Sequence, residues 1–494
     1  MFRRIFQKII YSPIPLLFFG AAILFLYLIL YFFAWDLLRG EIGSLLDRFP
    51  LTLNFTTNLS YLLFLFFGLT LIWAVMKSKS AQIKKFYWAI AIAYFFLFSA
   101  ILLFAPPLTS QDIFWNLFQG RIFTHYNENP YLVAPQNFPQ DPFLKNIRVW
   151  QDFPMTHGPI WTFIVSIPSF LSPNNLFLQI IIIRIFLLVI LGLLIIFLVS
   201  FMHKLDPRWS FPTFIALAWH PLLLIETINN AHNDILIGFA AVLGLYLIAK
   251  NQYFKGFIIL WVGVLIKYVI LLLIPLGLIF AFRKYGLKSI IKPAPKIIAG
   301  VILLTLIAYL PFGYNIFNFQ GLKYQSRLFE YTVLPPAPFL FATLGASIGG
   351  INFYDIMPKN RQIPLLSLGS GRAGDYLVAI TRFLSIIIFL IFYLWLLFKP
   401  FRDERDFFRR GFIIFFAYLL IAPFWFMAWY VVWLIPLAVA GGLGTTFISL
   451  GLSIIAFPYP FPTFQIIAIS VGFMAMTIFL TKKIISIIDE KGPT

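Results

Sequence analysis

The chain has no cysteine and little charge, and both shortages restrict what kind of protein it can be. Without cysteine, disulfide bonds and thiol chemistry are excluded. Charged residues make up 11% of the 494 residues and hydrophobic residues 61%, which excludes an ordinary soluble globular protein. Acids are the scarcest charged type, with 18 Asp and Glu against 37 Lys and Arg. The positions of those few acids are therefore informative.

Long apolar runs predict an all-α, polytopic membrane protein. Runs of about 17–25 residues recur along the chain, and helices of this length cross about 30 Å of hydrocarbon. The runs are expected to be helices because the bilayer core offers the backbone no water and because they lack the alternation of a membrane β-barrel. We predict about 12–14 transmembrane helices. The runs suggest spans at 14–34, 57–76, 86–105, 175–201, 211–226, 234–249, 254–266, 267–282, 297–312, 377–398, 411–425, 429–441, 444–457 and 463–481.

The basic residues predict the orientation of these helices. Threading the chain with its N-terminus inside puts the basic clusters on the cytoplasmic side, as the positive-inside rule requires. The clusters are Lys77–Lys85, Lys204–Arg208, Lys250–Lys255, Arg283–Lys296, Lys399–Arg410 and Lys482–Lys491. The net charge of +19 then reflects membrane topology, so we expect anionic membrane lipids as partners and no nucleic acid. We predict an integral protein of the plasma membrane with both termini cytoplasmic.

The predicted organisation is a single transmembrane domain, 1–494. Two of its connections are much longer than a turn between helices, and they form large extracytoplasmic loops at 106–174 and 314–376. The segments 254–266 and 267–282 are predicted to form a hairpin, because basic residues flank the pair at both ends.

The first loop collects polar residues that the rest of the chain lacks. Four acids and two of the five histidines fall between Pro106 and Trp161. A helix capped by Ser110 is predicted at Gln111–Phe123, and an interfacial helix at Ile160–Leu171. The loop is either a solvated connector or a catalytic loop at a membrane face, and its acids favour the catalytic interpretation.

Asp112 is the candidate general base of this loop. It stands about one turn beyond the third predicted span, where a carboxylate is partly desolvated and close to the lipid headgroups. A carboxylate in that setting suits proton abstraction from a sugar hydroxyl. The alternative is that Asp112 stabilises the N-terminus of the predicted helix by its charge, an effect of about 0.3–1 kcal/mol.

Other residues of the loop are candidates for substrate binding. Arg121 is placed to reach a phosphate or a carboxylate, and His157 puts a titratable ring on a tight turn. Asn129 and Tyr131 flank a proline that forces an extended or turn conformation on the residue before it. For each of these residues a structural role is the alternative.

A second polar cluster, Trp219–Asp234, joins two short predicted spans at the outer face. Its candidates for substrate binding are Glu226, His232, Asn233 and Asp234. An acid at the edge of a span is costly, so it usually serves a site or an ion pair. The spacing of His232 and Asp234 is compatible with metal binding, but no third ligand is offered. We predict no metal and no other cofactor.

Two cations and two aromatic residues complete the candidate substrate-binding residues. Arg184 and Lys267 lie inside apolar segments, where they either snorkel to the interface or bind a lipid phosphate. Trp429 and Tyr430 stand near the outer end of a late span. They fit either an aromatic belt at the interface or a wall on which a sugar stacks.

The motifs of this chain, and the order in which they follow one another along it, resemble those of the polytopic GT-C glycosyltransferases. They are most similar to those of the polyprenol-phosphate-mannose-dependent α-(1→6)-mannosyltransferases. The matching residues are Asp112, Gly120-Arg121, Asn129-Pro130-Tyr131, Gly158-Pro159-Ile160-Trp161, Pro221, Glu226, His232-Asn233-Asp234, Lys267 and Trp429-Tyr430, Trp433 and Pro436. The sequence departs from the family at His157, where Tyr often precedes Gly-Pro, and at His220, where Asn commonly precedes Pro. The spacing from Lys267 to Pro275 is also loose.

The resemblance implies a GT-C-like fold and an inverting transfer. Asp112 would deprotonate a hydroxyl of a glycan or lipid acceptor, and this hydroxyl would attack the anomeric carbon of a sugar carried on polyprenyl phosphate. The resemblance makes mannose the expected sugar. Arg121, Arg184 or Lys267 would stabilise the leaving phosphate. One carboxylate suffices because the phosphate needs no strong acid to leave, whereas glycoside hydrolases use two.

Two other functions stay open on the sequence alone. A lipid-glycan flippase or transporter would carry its charges at mid-membrane depth, whereas here they concentrate at the outer face, which favours the enzyme. An enzyme like the O-antigen ligases or polymerases would rely on arginines and a histidine in a large late loop. Arg327, Arg361 and Arg372 lie in such a loop.

Overall fold

The computed structural model describes residues 12–38, 49–80, 83–148, 150–313, 373–422 and 426–457. Within these ranges the regular elements are helices and there is no strand, which confirms the all-α prediction. Most of the predicted second loop, residues 314–372, and the predicted span 463–481 lie outside the described residues.

The described α-helices follow one another along the chain. They are α1 (Ile14–Leu38), α2 (Phe49–Ser80), α3 (Lys85–Phe104), α4 (Asp112–Thr124), α5 (Pro159–Leu171), α6 (Leu176–Leu205), α7 (Ser210–Ala218), α8 (Pro221–Leu224), α9 (Asp234–Ala249), α10 (Tyr253–Val264), α11 (Leu273–Tyr285), α12 (Lys288–Ile291), α13 (Ala294–Tyr309), α14 (Ala373–Phe398), α15 (Glu404–Ile421), α16 (Leu434–Gly441) and α17 (Leu443–Ala456). Short 3-10 turns lie at Pro135–Asn137, Leu144–Asn146, Pro207–Trp209, Tyr268–Leu272, Leu310–Phe312 and Ala428–Trp433. Helices α4 and α5 lie within a residue of the bounds predicted for the two helices of the first loop.

Seven helices of the described ranges are long and apolar enough to cross a membrane. They are Ile14–Phe32, Leu59–Ser78, Lys85–Phe104, Leu176–Leu205, Tyr268–Tyr285, Lys288–Phe312 and Ile380–Phe398. A bent pair of helices would make an eighth crossing, and further apolar helices are only 10–17 residues long. The chain is therefore a polytopic membrane protein, while the full number of crossings stays a prediction.

The bent pair occupies the place of the predicted span 211–226. The chain turns by 55° between α7 and α8. Proline disfavours the helical conformation of the residue before it, and His220 accordingly has an extended backbone, with φ −69° and ψ 113°. Pro221 then starts α8, where its missing N–H has no partner to lose. The local Pro221 geometry therefore replaces one straight span by two short helices.

Helices α10 and α11 form the hairpin that the flanking charges predict. A Cβ on Gly263 would contact Ile270, and a Cβ on Gly277 would contact Phe257, so the two segments run back along each other. The chain reverses at Leu265–Lys267, between Val264 and the 3-10 turn that begins at Tyr268.

The described residues fall into two compact units, each assembled from separate stretches of chain. The first unit comprises the described residues within 1–113, 180–235 and 443–494, and the second comprises those within 114–179 and 236–442. A single transmembrane domain over 1–494, with 106–174 as its catalytic loop, stays a prediction.

In the first unit, α1 packs against α2 and α3. The hydroxyl of Tyr94 on α3 donates to the carbonyl of Leu17 on α1 at 3.0 Å. The indole N–H of the buried Trp219 donates to the carbonyl of Ala91 at 3.0 Å. This bond fixes the chain just before the His220-Pro221 bend onto α3.

In the second unit, two arginines hold the C-terminal end of α14. Arg283 donates to the carbonyls of Phe398 and Lys399, and the buried Arg410 donates to the carbonyl of Leu396 at 3.0 Å. The last carbonyls of a helix have no partner within the helix, so these guanidinium groups satisfy them. The ends of α11, α14 and α15 are thereby joined.

Candidate functional site

The turn between α8 and α9 carries most of the second polar cluster. Residues Ile225–Asn229 form a π-helical turn, a local widening of the helix that is frequent at functional sites. The N–H of His232 donates to the carbonyl of Glu226 at 2.9 Å. Between them, Ala231 adopts a φ of 55°, which is uncommon for a residue other than glycine. The chain therefore reverses tightly and turns the side chains of Glu226 and His232 towards each other.

Two asparagines of this turn hold the segment that leads into α4. The Oδ1 of Asn229 accepts from the N–H of Leu108 at 2.7 Å. The Oδ1 of Asn230 accepts from the N–H groups of Leu108 at 3.1 Å and of Thr109 at 3.3 Å. Both asparagines are fully buried, so water does not compete for these bonds. The start of α4 is thereby fixed against the turn.

Glu226 is fully buried and both of its carboxylate oxygens have partners. Its Oε1 accepts from the hydroxyl of Thr109 at 3.0 Å. Its Oε2 accepts from the amide of Asn230 at 2.9 Å and lies 2.8 Å from Nδ1 of His232. A buried charge needs a charged, hydrogen-bonded partner, and His232 provides it.

Asp112 lies on the other side of the same imidazole ring. Its N–H donates to Oγ of Ser110 at 3.2 Å, which is the predicted cap of α4. Its Oδ2 is 3.7 Å from Nε2 of His232, an ion-pair distance that is longer than a hydrogen bond. The side chain of Asp112 is 28% exposed, whereas that of Glu226 is 0% exposed. Asp112 is therefore the acid of this cluster that a substrate can reach.

The charge of His232 follows from these two acids. Burial alone would lower the pKa of His232, but interactions with Asp112 and Glu226 outweigh burial and raise the pKa from 6.5 to about 9. At neutral pH the ring is therefore an imidazolium with one N–H group towards each acid. A single cation lies between two carboxylates.

These three side chains are not arranged as a metal site. Among the described residues, no group of three His, Cys, Asp or Glu side chains could hold a metal ion. Glu226 and Asp112 lie beside opposite nitrogens of the ring, so they cannot bind one ion together with it. The positive charge of the cluster comes from His232 instead.

Asn233 and Asp234 follow directly and are buried at the start of α9. Their side chains lie in the same turn as His232, and the two residues are 3% and 1% exposed. An acid in the first turn of a helix interacts favourably with the helix dipole. Burial favours a structural role for both residues, and substrate binding by either stays a prediction.

Arg184 on α6 caps the end of α3. Its guanidinium donates to the carbonyls of Leu103 at 2.8 Å and of Ala105 at 2.7 Å, and also to the carbonyl of Asn229. The two carbonyls at the end of α3 have no partner within the helix, and Arg184 supplies one. These contacts give Arg184 a structural role, while binding of a lipid phosphate stays a prediction.

In the second unit, Arg121 forms a buried ion pair within the first loop. Its Nε donates to Oδ2 of Asp141 at 2.5 Å, and its Nη1 donates to the carbonyl of Pro173. The hydroxyl of Tyr126 donates to the same Oδ2 at 2.6 Å. Burial alone would raise the pKa of Asp141, but hydrogen bonds from Tyr126 and Arg121 and the Arg121 charge lower it below its usual value. Phosphate binding by Arg121 would compete with this pair and stays a prediction.

Asn129, Tyr131 and His157 come together at the two ends of the irregular part of the loop. The Oδ1 of Asn129 accepts from the N–H of Tyr131 at 2.9 Å, and its amide donates to the carbonyl of Phe312. The hydroxyl of Tyr131 donates to the carbonyl of His157 at 3.0 Å. The centre of the His157 ring lies 6.1 Å from the centre of the Trp115 ring. These bonds shape the loop, and substrate binding by the three residues stays a prediction.

The end of the loop is anchored on the break between α10 and α11. The N–H of Gly158 donates to the carbonyl of Ile266 at 2.9 Å, and the N–H of Ile160 donates to that of Leu265 at 3.1 Å. A Cβ on Gly158 would collide with the Leu265 carbonyl, so the close approach requires glycine.

Lys267, at the same break, lies over two aromatic rings. Its Nζ is 4.8 Å from the ring centre of Tyr430 and 5.1 Å from that of Trp433. The two rings are stacked with their centres 4.6 Å apart. Trp429 is buried beside Tyr430. The structure thus brings together Lys267 and Tyr430, which the sequence offers as separate candidates.

Thr109 and Asn230 are not among the predicted substrate-binding residues, although Asn230 lies within the predicted polar cluster Trp219–Asp234 and both residues bind Glu226. The Asn229-Asn230 doublet is a signal, because two adjacent amides in an apolar chain require buried partners. Thr109 has no comparable signal, since threonine is common in loops.

Comparison with known proteins gives one family. Residues 38–283, about half of the chain, match the model of the alpha-(1→6)-mannopyranosyltransferase N-terminal domain. No curated protein and no solved structure matches the chain. The matched segment includes Asp112, Glu226 and His232.

Proposed function

Because the chain is a member of the alpha-(1→6)-mannopyranosyltransferase family, and is therefore a membrane glycosyltransferase, we propose that it takes mannose from a polyprenyl-phosphate donor. The acceptor is a glycan or a lipid at the extracytoplasmic face of the membrane. The transfer inverts the anomeric configuration, and Asp112 is the general base. The family match favours this function over the flippase and the ligase.

The proposal rests on one observation: the side chain of Asp112 is accessible, whereas the side chains beside it are buried and form an ion pair with each other. The Asp112 side chain is 28% exposed, whereas its neighbours His232 and Glu226 are buried. A general base must reach the proton that it removes, so only Asp112 of this group meets the requirement. It also lies within the matched segment.

The chemistry requires one proton transfer by the protein. Asp112 accepts the proton of the acceptor hydroxyl as the hydroxyl oxygen bonds to the anomeric carbon. The bond between that carbon and the phosphate oxygen breaks, and its electron pair stays on the phosphate. The phosphate is a good leaving group without protonation, so no second carboxylic acid is needed.

The leaving phosphate gains negative charge, which a cation stabilises. Lys267 is one candidate, because its amine lies over the rings of Tyr430 and Trp433. Arg121 and Arg184 are the other candidates, although their guanidinium groups bind buried protein groups.

The extracytoplasmic location is supported by the distribution of charge. The basic clusters fall on the opposite side of the predicted spans from Asp112. Anionic headgroups are the expected neighbours of those clusters.

The test is a transfer assay with the full chain in proteoliposomes, supplied with radiolabelled polyprenyl-phosphate mannose and membrane glycan or lipid acceptors. We expect Asp112→Asn to reduce turnover by about 10²–10⁴-fold, because it removes the base. The anomeric configuration of the product, read by NMR, is expected to be opposite to that of the donor.

Asp152→Asn is the matched control, since Asp152 is an exposed acid of the same loop. It is expected to transfer at the wild-type rate. Equal transfer by Asp112→Asn and wild type, at equal amounts of folded protein, would overturn the assignment of the base. Retention of configuration would overturn the single-displacement mechanism.

A further inference from the structure

We infer that Glu226 and His232 are positioning residues for the catalytic carboxylate: buried Glu226 orients His232, and His232 holds Asp112 beside the acceptor hydroxyl. This inference rests on the proposed role of Asp112. It changes the roles of Glu226 and His232 from substrate binding to support of the base. It also assigns the π-helical turn Ile225–Asn229 a purpose, which is to carry the buried acid.

The first step is the fixation of Glu226. Its Oε1 accepts from Thr109, and its Oε2 accepts from Asn230 and faces His232. A carboxylate with partners on both oxygens has one orientation. Thr109 and Asn230 also take part in the hydrogen bonds that hold the segment before α4: the Oδ1 of Asn230 accepts from the N–H groups of Leu108 and Thr109. The acid and the start of α4 are therefore held by one network.

The second step is the orientation of the ring. With Glu226 at 2.8 Å from Nδ1, the ring N–H at this position points to the carboxylate. The opposite nitrogen, Nε2, then faces Asp112 at 3.7 Å. This order, carboxylate–imidazole–carboxylate, leaves only the last member exposed.

The third step is the charge of the ring. Two charged groups of the described residues act on His232: Glu226 from the π-helical turn and Asp112 from the start of α4. They keep the ring protonated at neutral pH, with a pKa of about 9. An imidazolium attracts the Asp112 carboxylate and restricts its rotation, whereas a neutral ring would do so weakly.

The protonation of His232 shows how this arrangement differs from a proton relay, in which the histidine would accept the proton. His232 already carries both ring protons, so it cannot accept another. The proton of the acceptor hydroxyl therefore ends on Asp112, while His232 keeps its own protons. After the product leaves, Asp112 returns its proton to water and the ion pair with His232 forms again.

The experiment is the pH dependence of kcat for wild type, Glu226→Gln and His232→Gln, measured in the proteoliposome assay. In wild type, kcat is expected to fall as the pH rises through about 9, because His232 loses its charge. In Glu226→Gln, this fall is expected at least one pH unit lower, because the ring loses an adjacent negative charge. In His232→Gln, kcat is expected to be about tenfold lower and the alkaline fall absent, with KM for the donor unchanged.

Two further variants separate positioning from a general loss of structure. Glu226→Asp keeps the charge and is expected to return the alkaline fall towards its wild-type pH. Asp141→Asn alters a buried acid elsewhere in the protein, so it is expected to lower thermal stability without moving that fall.

The outcomes distinguish this inference from the proposed function. If Asp112→Asn is inactive while His232→Gln and Glu226→Gln keep the wild-type profile and kcat, the base stands and the positioning role is overturned. If Asp112→Asn transfers at the wild-type rate, the assignment of Asp112 as the base fails, and this inference fails with it. If the Glu226→Gln protein does not accumulate, the His232→Gln variant provides the test. If kcat of His232→Gln still falls at the same alkaline pH as kcat of the wild type, the inference is overturned.

Discussion

The guanidinium of Arg121 and the carboxylate of Asp141 form an ion pair closed off from water, with Nε 2.5 Å from Oδ2. The two side chains are 4% and 0% exposed. The pair joins α4 to an irregular segment of the loop. The Cζ of Arg121 lies 4.6 Å from the centre of the Phe143 ring. Removing one member of such a pair leaves a buried charge without compensation.

Loss of this ion pair is expected to destabilise the protein strongly. Arg121→Met should lower the free energy of unfolding by about 3–5 kcal/mol, because the Asp141 carboxylate stays buried without its cation. Thermal unfolding of the purified chain in detergent measures this effect. Adding Asp141→Leu to Arg121→Met is expected to recover most of the stability. A double variant as unstable as the single one would contradict the ion-pair explanation.

The stability of the protein is expected to decrease at alkaline pH because of His232. Its pKa is raised from 6.5 to about 9 on folding, so its contribution is complete below about 6.5 and is lost as the pH rises through about 9. This rise in pKa corresponds to about 3 kcal/mol. The measurement is Tm as a function of pH for wild type and His232→Gln. Curves that run parallel above pH 8 would rule out this contribution.

Two glycines are expected to respond in opposite ways to alanine. Gly158→Ala should reduce stability by about 1–3 kcal/mol, because its Cβ would collide with the carbonyl of Leu265. Gly192 lies within α6 and has open space where alanine would place its methyl carbon, so Gly192→Ala should be neutral or stabilising by up to about 1 kcal/mol. Thermal unfolding compares the two. Equal effects would show that the loop does not depend on the close approach at Gly158.

Donor binding is expected to depend on Lys267. If its amine binds the donor phosphate, Lys267→Met should raise KM for polyprenyl-phosphate mannose by about 10–100-fold, because a charge-assisted hydrogen bond contributes about 1.5–3 kcal/mol. Lys267→Arg keeps the charge and the contact with the rings, so it should retain most of the affinity. The matched control is Lys292→Met, which alters an exposed lysine. If both KM and kcat were unchanged in Lys267→Met, Lys267 would have no role at the donor phosphate.

The sequence predicts where the helices lie and which residues belong to the site. It does not predict which residues these side chains contact. Apolar runs reveal helices because the bilayer imposes length and hydrophobicity, and the sequence places Glu226 and His232 in one turn. The meeting of that turn with Asp112 depends on contacts across more than a hundred residues, which no local pattern encodes. The same holds for Arg121, a candidate phosphate ligand whose partner Asp141 lies in an irregular segment. The bend before Pro221 is local, but a hydropathy window averages over it.

Arg184 has a consequence for the charges buried around the turn at Asn229. Its guanidinium adds a second positive charge to a buried region that contains the carboxylates of Asp112 and Glu226 and the His232 ring. With Asp234, which is also buried in this turn, two cations lie near three acids, and each of these charges alone would be costly to bury. Opposite charges that lie close together can therefore persist inside an apolar fold.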